Sequence, residues 1–100
     1  MIKVKVEKQD SIYKKITMSG HAMYDDYGKD IVCSAASSIM TTTVNGILAL
    51  DKESLSYLVD ENGVIIEITN NDKTTQTLIG NMVSLLKELE SDYPTNIEVK

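Results

Sequence analysis

An apolar period that changes from two residues to four, twice along the chain, dictates the class of fold. Ile2, Val4 and Val6 alternate with Lys3, Lys5 and Glu7, the pattern of a strand with one buried face. After a turn at residues 8–10, Ile12, Ile16 and Met18 share one side of a second strand ending near Gly20. The spacing then becomes helical. Ile31, Ala35 and Ile39 recur every fourth residue, as do Val32, Ala36, Met40 and Val44, with Leu48 following. They form one broad apolar stripe on a helix that starts at Asp30 and ends near Leu50. The sequence of patterns is then repeated. Leu55, Tyr57 and Val59, then Val64, Ile66 and Ile68, read as two strands around a tight turn at residues 60–63. Residues 70–72 start a second helix, lined by Leu78, Met82, Leu85 and Leu89 and widened by Ile79, Val83 and Leu86. Pro94 falls where it does not interrupt that helix, and Ile97 and Val99 suit a short last strand.

The order ββαββαβ predicts an α+β fold in two layers, with a mainly antiparallel sheet and both helices on one of its faces. The two strand–strand–helix units share a layout but no sequence self-similarity. One domain over residues 1–100 fits the length, and folding at this size buries roughly two-thirds of the extended chain's surface. With no Phe and no Trp, the core must come from Ile, Val, Leu, Met and Tyr.

Charge and composition exclude several functions. A net charge of −5 argues against direct binding to a nucleic acid backbone, which needs a basic surface, and is compatible with a basic protein partner. No run is expected to reach the ~20 apolar residues of a membrane span. The alternating N-terminus is neither a signal nor a transit peptide. One cysteine without a signal suggests a reducing cytoplasm.

The one histidine, His21, and the one cysteine, Cys33, fall together in GHAMYDDYGKDIVCSAASS, residues 20–38. If Asp30 caps the helix, Cys33 is its third residue, inside the first turn. Unpaired N–H groups and the dipole there favour a thiolate and supply donors for an oxyanion. A histidine at the strand end can take the thiol proton and return it to a leaving amine. The same residues also suit a plainer fold role, because cysteine is often a small core residue and a strand-end histidine is often only hydrogen-bonded. A metal site would need Asp25, Asp26 or Asp30 as further ligands, and zinc sites show denser Cys/His sets. The aspartate run also lacks the spacing of an EF-hand. No metal and no cofactor are expected.

The run Gly20-His21-Ala22, a short spacer, then Gly28-Lys29-Asp30-Ile31-Val32-Cys33-Ser34-Ala35-Ala36-Ser37 strongly resembles the ribosomal-processing cysteine protease family, Prp. The resemblance extends to chain length and element order. It implies a cytoplasmic, homodimeric bacterial cysteine endopeptidase. Such a protein removes the N-terminal extension of large-subunit ribosomal protein number twenty-seven, cutting after a pair of aromatic residues. Carried onto this chain, Cys33 is the nucleophile and His21 the general base. Asp30 matches the family's aspartate and either orients the histidine or caps the helix. Ser37, one turn beyond Cys33 on the same side, supports the site or lets neighbouring segments approach. Gly20, Ala22, Tyr24, Tyr27 and Gly28 are candidates for a substrate loop, and residues 22–29 are expected to close over bound peptide. Two other readings stand beside this one, the second of them using the same two residues. One is a non-catalytic module that docks a ribosomal protein precursor; the other is a thiol-dependent acyltransferase. Thr41, Thr42, Thr43 and Asn45 lie off the apolar stripe, so no large apolar patch marks a dimer interface.

Overall fold

The computed structural model describes residues 1–20 and 27–100. The chain runs β1 (Ile2–Gln9), β2 (Ile12–Ser19), α1 (Tyr27–Leu50), β3 (Leu55–Asp60), β4 (Gly63–Ile68), α2 (Lys73–Asp92) and β5 (Ile97–Val99). The expected element order and the α+β class both hold. The strands form one five-stranded sheet in the order β3-β4-β2-β1-β5. Three of its pairings are antiparallel, and β5 joins β1 in parallel, Ile2 against Ile97 and Val4 against Val99. The sheet is therefore mixed but mainly antiparallel.

Register carries the strand alternation into a single core. Val4 faces Met18, Met18 faces Val64, and Ile16 faces Ile66, so the buried side chains of neighbouring strands stack on one face. Val32, Ala36, Met40, Val44 and Ile47 of α1, with Ile79, Met82, Val83 and Leu86 of α2, close over it. The opposite face carries Lys3, Lys5, Lys15, Thr17, Glu67 and Glu98, and no helix among the described residues covers it. The α2 stripe is rotated from its expected centre. Leu85 is 38% exposed while Ile79 is fully buried, and the helix meets the sheet mainly at β5 and β2.

Ile31–Leu50 is long and apolar enough to cross a membrane by length and composition, contrary to the sequence reading. Its buried residues, Val32, Ala36, Met40, Val44 and Ile47, face the core, while only 28% of the stretch is buried.

Local chemistry sets the joints. Asp10 and Ser11 take positive φ, 53° and 67°, the twist that a two-residue hairpin turn requires. The Asp72 side chain caps α2 by accepting from the Thr75 N–H at 3.4 Å. Gln76 ties that end of α2 to β2: its Oε1 accepts from the Tyr13 N–H (2.8 Å) and its Nε2 donates to the Tyr13 carbonyl (3.1 Å).

Candidate active site

The two candidate residues follow the end of β2 in the chain and lie on α1, His21 just after Ser19 and Gly20, Cys33 within the helix. Ser19 pairs with Lys3 on one side and with Gly63 on the other, so the end of β2 is held between β1 and the β3–β4 hairpin. Two glycines permit this close fit. Gly20 has φ +81°, and a Cβ there would collide with the Met1 carbonyl oxygen. Gly63 has φ +140°, and its Cβ would run into the Met18 carbonyl oxygen. Asp60 shapes the hairpin, its Oδ1 accepting from the N–H groups of Asn62 (2.7 Å) and Gly63 (3.2 Å). A groove of about 230 Å³ opens here, lined by Thr17, Ser19, Asp60, Asn62, Gly63 and Ile65 among others. A larger one of about 510 Å³ runs along the uncovered sheet face over Lys3, Lys5, Thr17, Ser19, Glu98 and Lys100.

The start of α1 differs from the expectation. The helix begins at Tyr27, so Asp30 is its fourth residue and not its N-cap. Tyr27 and Gly28, expected in the loop, are helical. The preference of Asp for an N-cap is worth only about 1 kcal/mol, small enough for another hydrogen-bonded turn to outweigh it.

Cys33 is therefore the seventh helical residue, about 9 Å along the axis from the start. Its own N–H lies beyond the four that a helix N-terminus leaves unpaired, and the dipole's influence fades within the first turn. The expected contribution of the helix end to a thiolate at Cys33 is correspondingly reduced.

Packing gives Cys33 a different advantage. It follows Val32 and lies about 100° around the helix from that fully buried side chain. It is half-buried and packs on the edge of the core. Ser37 repeats the arrangement one turn later, beside buried Ala36, and is also half-buried. The two side chains share a border position, fixed on one side by the core and reachable from the other. A nucleophile needs both properties.

His21, Ala22 and Tyr24 lie outside the described residues, as does most of the segment expected to close over peptide. Among the described residues no group of three His, Cys, Asp or Glu side chains is placed to hold a metal ion. The sequence reading did not foresee that the β3–β4 hairpin lies beside Ser19. A neighbour forty residues away leaves no trace in local periodicity; only the glycine at 63 hinted at a close approach.

Known proteins share this fold. The chain matches the family model described as cysteine protease Prp over residues 1–98. It is 36% identical over 88 residues to the ribosomal processing cysteine protease Prp of Staphylococcus aureus strain Mu50, covering 84% of this chain and 82% of that one. Two crystal structures of an S. aureus Prp protease are also similar. The complex with a substrate peptide has a TM-score of 0.91 and 29% identity, covering 100% of this chain and 98% of that one. The complex with a covalently linked product peptide has a TM-score of 0.88 and 30% identity, at the same coverages.

Proposed function

Since the chain belongs to the cysteine protease Prp family and is a cysteine protease, we propose that Cys33 is its nucleophile and His21 its general base. The observation that carries this reading is a count: the chain has one cysteine and one histidine. A thiol protease with one thiol has no other nucleophile, and the related S. aureus enzyme is seen covalently linked to its product peptide.

The reaction follows from those two groups. His21 takes the proton of Cys33 Sγ, and the thiolate attacks the peptide carbonyl carbon. The tetrahedral intermediate collapses as the C–N bond breaks, and the histidine proton goes to the leaving amine. The acyl group remains on sulfur as a thioester. His21 then deprotonates a water, which attacks the thioester. The C–S bond breaks, the carboxylic acid leaves, and the proton returns to the Cys33–His21 pair. The N-terminal extension of ribosomal protein number twenty-seven is the substrate we assign, cut after its aromatic pair. A basic substrate suits a chain of net charge −5. A cytoplasmic location and a homodimeric state belong to the same reading.

The test is incubation of the purified protein with an extension-bearing precursor, followed by intact mass. Loss of the extension at a single bond supports the assignment. An uncut precursor, under conditions where the protein is folded, refutes the substrate.

Placing Cys33 in the second helical turn shifts the burden of thiolate formation onto its partner. His21→Ala is therefore expected to lower kcat/KM by about a hundredfold or more with little change in melting. A variant that retains most of its activity would remove the histidine from the mechanism.

Asp30 can no longer be an N-cap, and an orienting role toward His21 is what we propose for it. Asp30→Asn is then expected to lower kcat and to change the pH profile of cleavage while Tm moves little. If melting falls and the pH profile does not move, the residue only serves the helix.

A further inference from the structure

The two outer strands of the sheet are finished differently. Along β5, the Val99 N–H donates to Glu90 Oε2 of α2 at 3.0 Å, so that edge is closed from within the chain. Along β3, the Thr69 N–H donates to the Ser54 carbonyl at 2.8 Å. Bonded and unbonded pairs alternate along an antiparallel ladder, so Ser56–Glu67, Leu58–Ile65 and Asp60–Gly63 are the bonded ones. Tyr57 and Val59 therefore direct their N–H and C=O groups away from β4, and among the described residues no strand receives them. An extended peptide can add to such an edge through its main chain.

Cys33 lies on the same side of the molecule. Cys33, Ser37 and Thr41 follow one another at four-residue spacing, and each step turns the line by only about 40°. The far end of that line meets β3, where Thr41 Oγ1 and Tyr57 OH are within hydrogen-bond distance at 3.4 Å. That contact and the short connection 51–54 make α1 and β3 antiparallel. From Thr41 back to Cys33 is about 12 Å along the helix, and from Tyr57 forward to Asp60 is about 10 Å along the strand. Both paths lead to the end of the sheet where Asp60 pairs with Gly63 and Gly63 with Ser19. A peptide on the β3 edge thus passes from Thr41 to the level of Cys33 in about four residues. The surface along that path is uncharged: residues 31–50 carry no charged side chain, and β3 carries none before Asp60. It is also apolar on both faces. Leu58 and Val59, neighbours that point to opposite faces of the sheet, are 57% and 56% exposed.

We propose that the β3 edge and the adjoining flank of α1 hold the substrate residues before the scissile bond as an added strand, with Leu58 and Val59 selecting two successive large apolar side chains. This inference rests on the assignment above of Cys33 as nucleophile and of a cut after an aromatic pair, and adds the surface that reads the pair. The outward N–H and C=O groups of Tyr57 and Val59 bond the peptide main chain and set its line toward Cys33. Successive side chains of an extended peptide point to opposite faces. An aromatic pair therefore places one ring beside Val59 and the flank of α1, and the other beside Leu58 on the uncovered face. An edge apolar on one face alone would select one such residue, not two. A charged segment would find no counter-charge on this path before Asp60.

Amide exchange of the Cys33→Ala protein tests it, free and with an uncharged synthetic peptide that contains two adjacent phenylalanines. With peptide at about ten times its Kd or above, the Tyr57 and Val59 amides are expected to slow about tenfold or more. N-methylation of one peptide amide at a time is expected to weaken binding at alternate positions only, the pattern of a strand paired along one side. Val59→Lys and Leu58→Lys, with folding checked by circular dichroism, are each expected to raise KM for the extension-bearing precursor about tenfold or more, with a smaller change in kcat. A peptide that binds without slowing Tyr57 and Val59, or that tolerates methylation at every amide, overturns the edge as its site and leaves the cysteine mechanism standing. Folded lysine variants with the parent's KM overturn Leu58 and Val59 as the residues that select the pair. A parent protein that neither binds the peptide nor cuts the precursor overturns this inference and the substrate assignment together.

Discussion

Cys33→Ala is expected to lower cleavage of an extension-bearing substrate by roughly ten-thousandfold or more, to the limit of detection. The size of the effect comes from the absence of any substitute: no second cysteine exists anywhere in the chain, and an alanine methyl cannot form the acyl-enzyme. Stability should barely change. Cys33 is half-buried at the core's edge, so removing its sulfur exposes or empties little space, at a cost of about 1 kcal/mol or less. Alanine is also the best helix former, which suits the middle of α1. Cys33→Ser should be nearly as inactive, because a hydroxyl is far weaker than a thiolate unless it is strongly activated. Intact mass of the substrate after prolonged incubation, with thermal melting of both variants, measures the two quantities separately. Substantial specific cleavage by the alanine variant would show that the thiol is not the nucleophile.

What the chain's patterns disclosed, and what they hid, follows from the range of each signal. Alternation in β1, β2 and β4 placed Ile2, Val4, Ile16, Met18, Val64, Ile66 and Ile68 in the core, and all are buried. Each of those positions is decided by one buried face, so a period of two reads it directly. Val59 broke the same rule: it alternates with Leu55 and Tyr57, yet it is 56% exposed. Periodicity reports which face a residue takes, not whether anything lies over that face. The start of α1 was misjudged because Gly28 and Asp30 are strong local signals of small energy. The extra turn that overrides them moves Cys33 from the first turn to the second. The motif around His21 and Cys33 pointed to the chemistry, and the solved relatives support the same class of enzyme. The hairpin beside Ser19 and the unequal finishing of the two sheet edges depend on cross-strand register, which no window of the sequence contains.

Gly20→Ala is expected to damage both stability and catalysis, and the two losses have separable causes. Gly20 is the last described residue before the histidine, with φ +81°. A side chain makes that conformation cost about 1–2 kcal/mol, and the new Cβ would also meet the Met1 carbonyl oxygen. That carbonyl belongs to the residue leading into β1, whose Ile2 N–H is held by the Asn96 carbonyl at 2.9 Å. Relief of the collision must therefore come from one side or the other. Either β1 shifts against β5, or the backbone at residue 20 rotates. The first lowers Tm, by about 4–8 °C for each kcal/mol lost in a chain of this size. The second redirects the chain at residue 21 and moves His21 relative to Cys33, where a displacement of about 1 Å can cost a hundredfold in rate. Cleavage well below the variant's Tm isolates the second effect, and a fall in kcat/KM of about tenfold or more is expected there. Gly20→Asn, which tolerates positive φ better than alanine but still carries a Cβ, should recover part of the stability and little of the rate. If Gly20→Ala melts lower yet cleaves at the parent's rate while folded, the glycine serves only the fit between β2 and Met1, and the direction in which β2 delivers the histidine is fixed elsewhere.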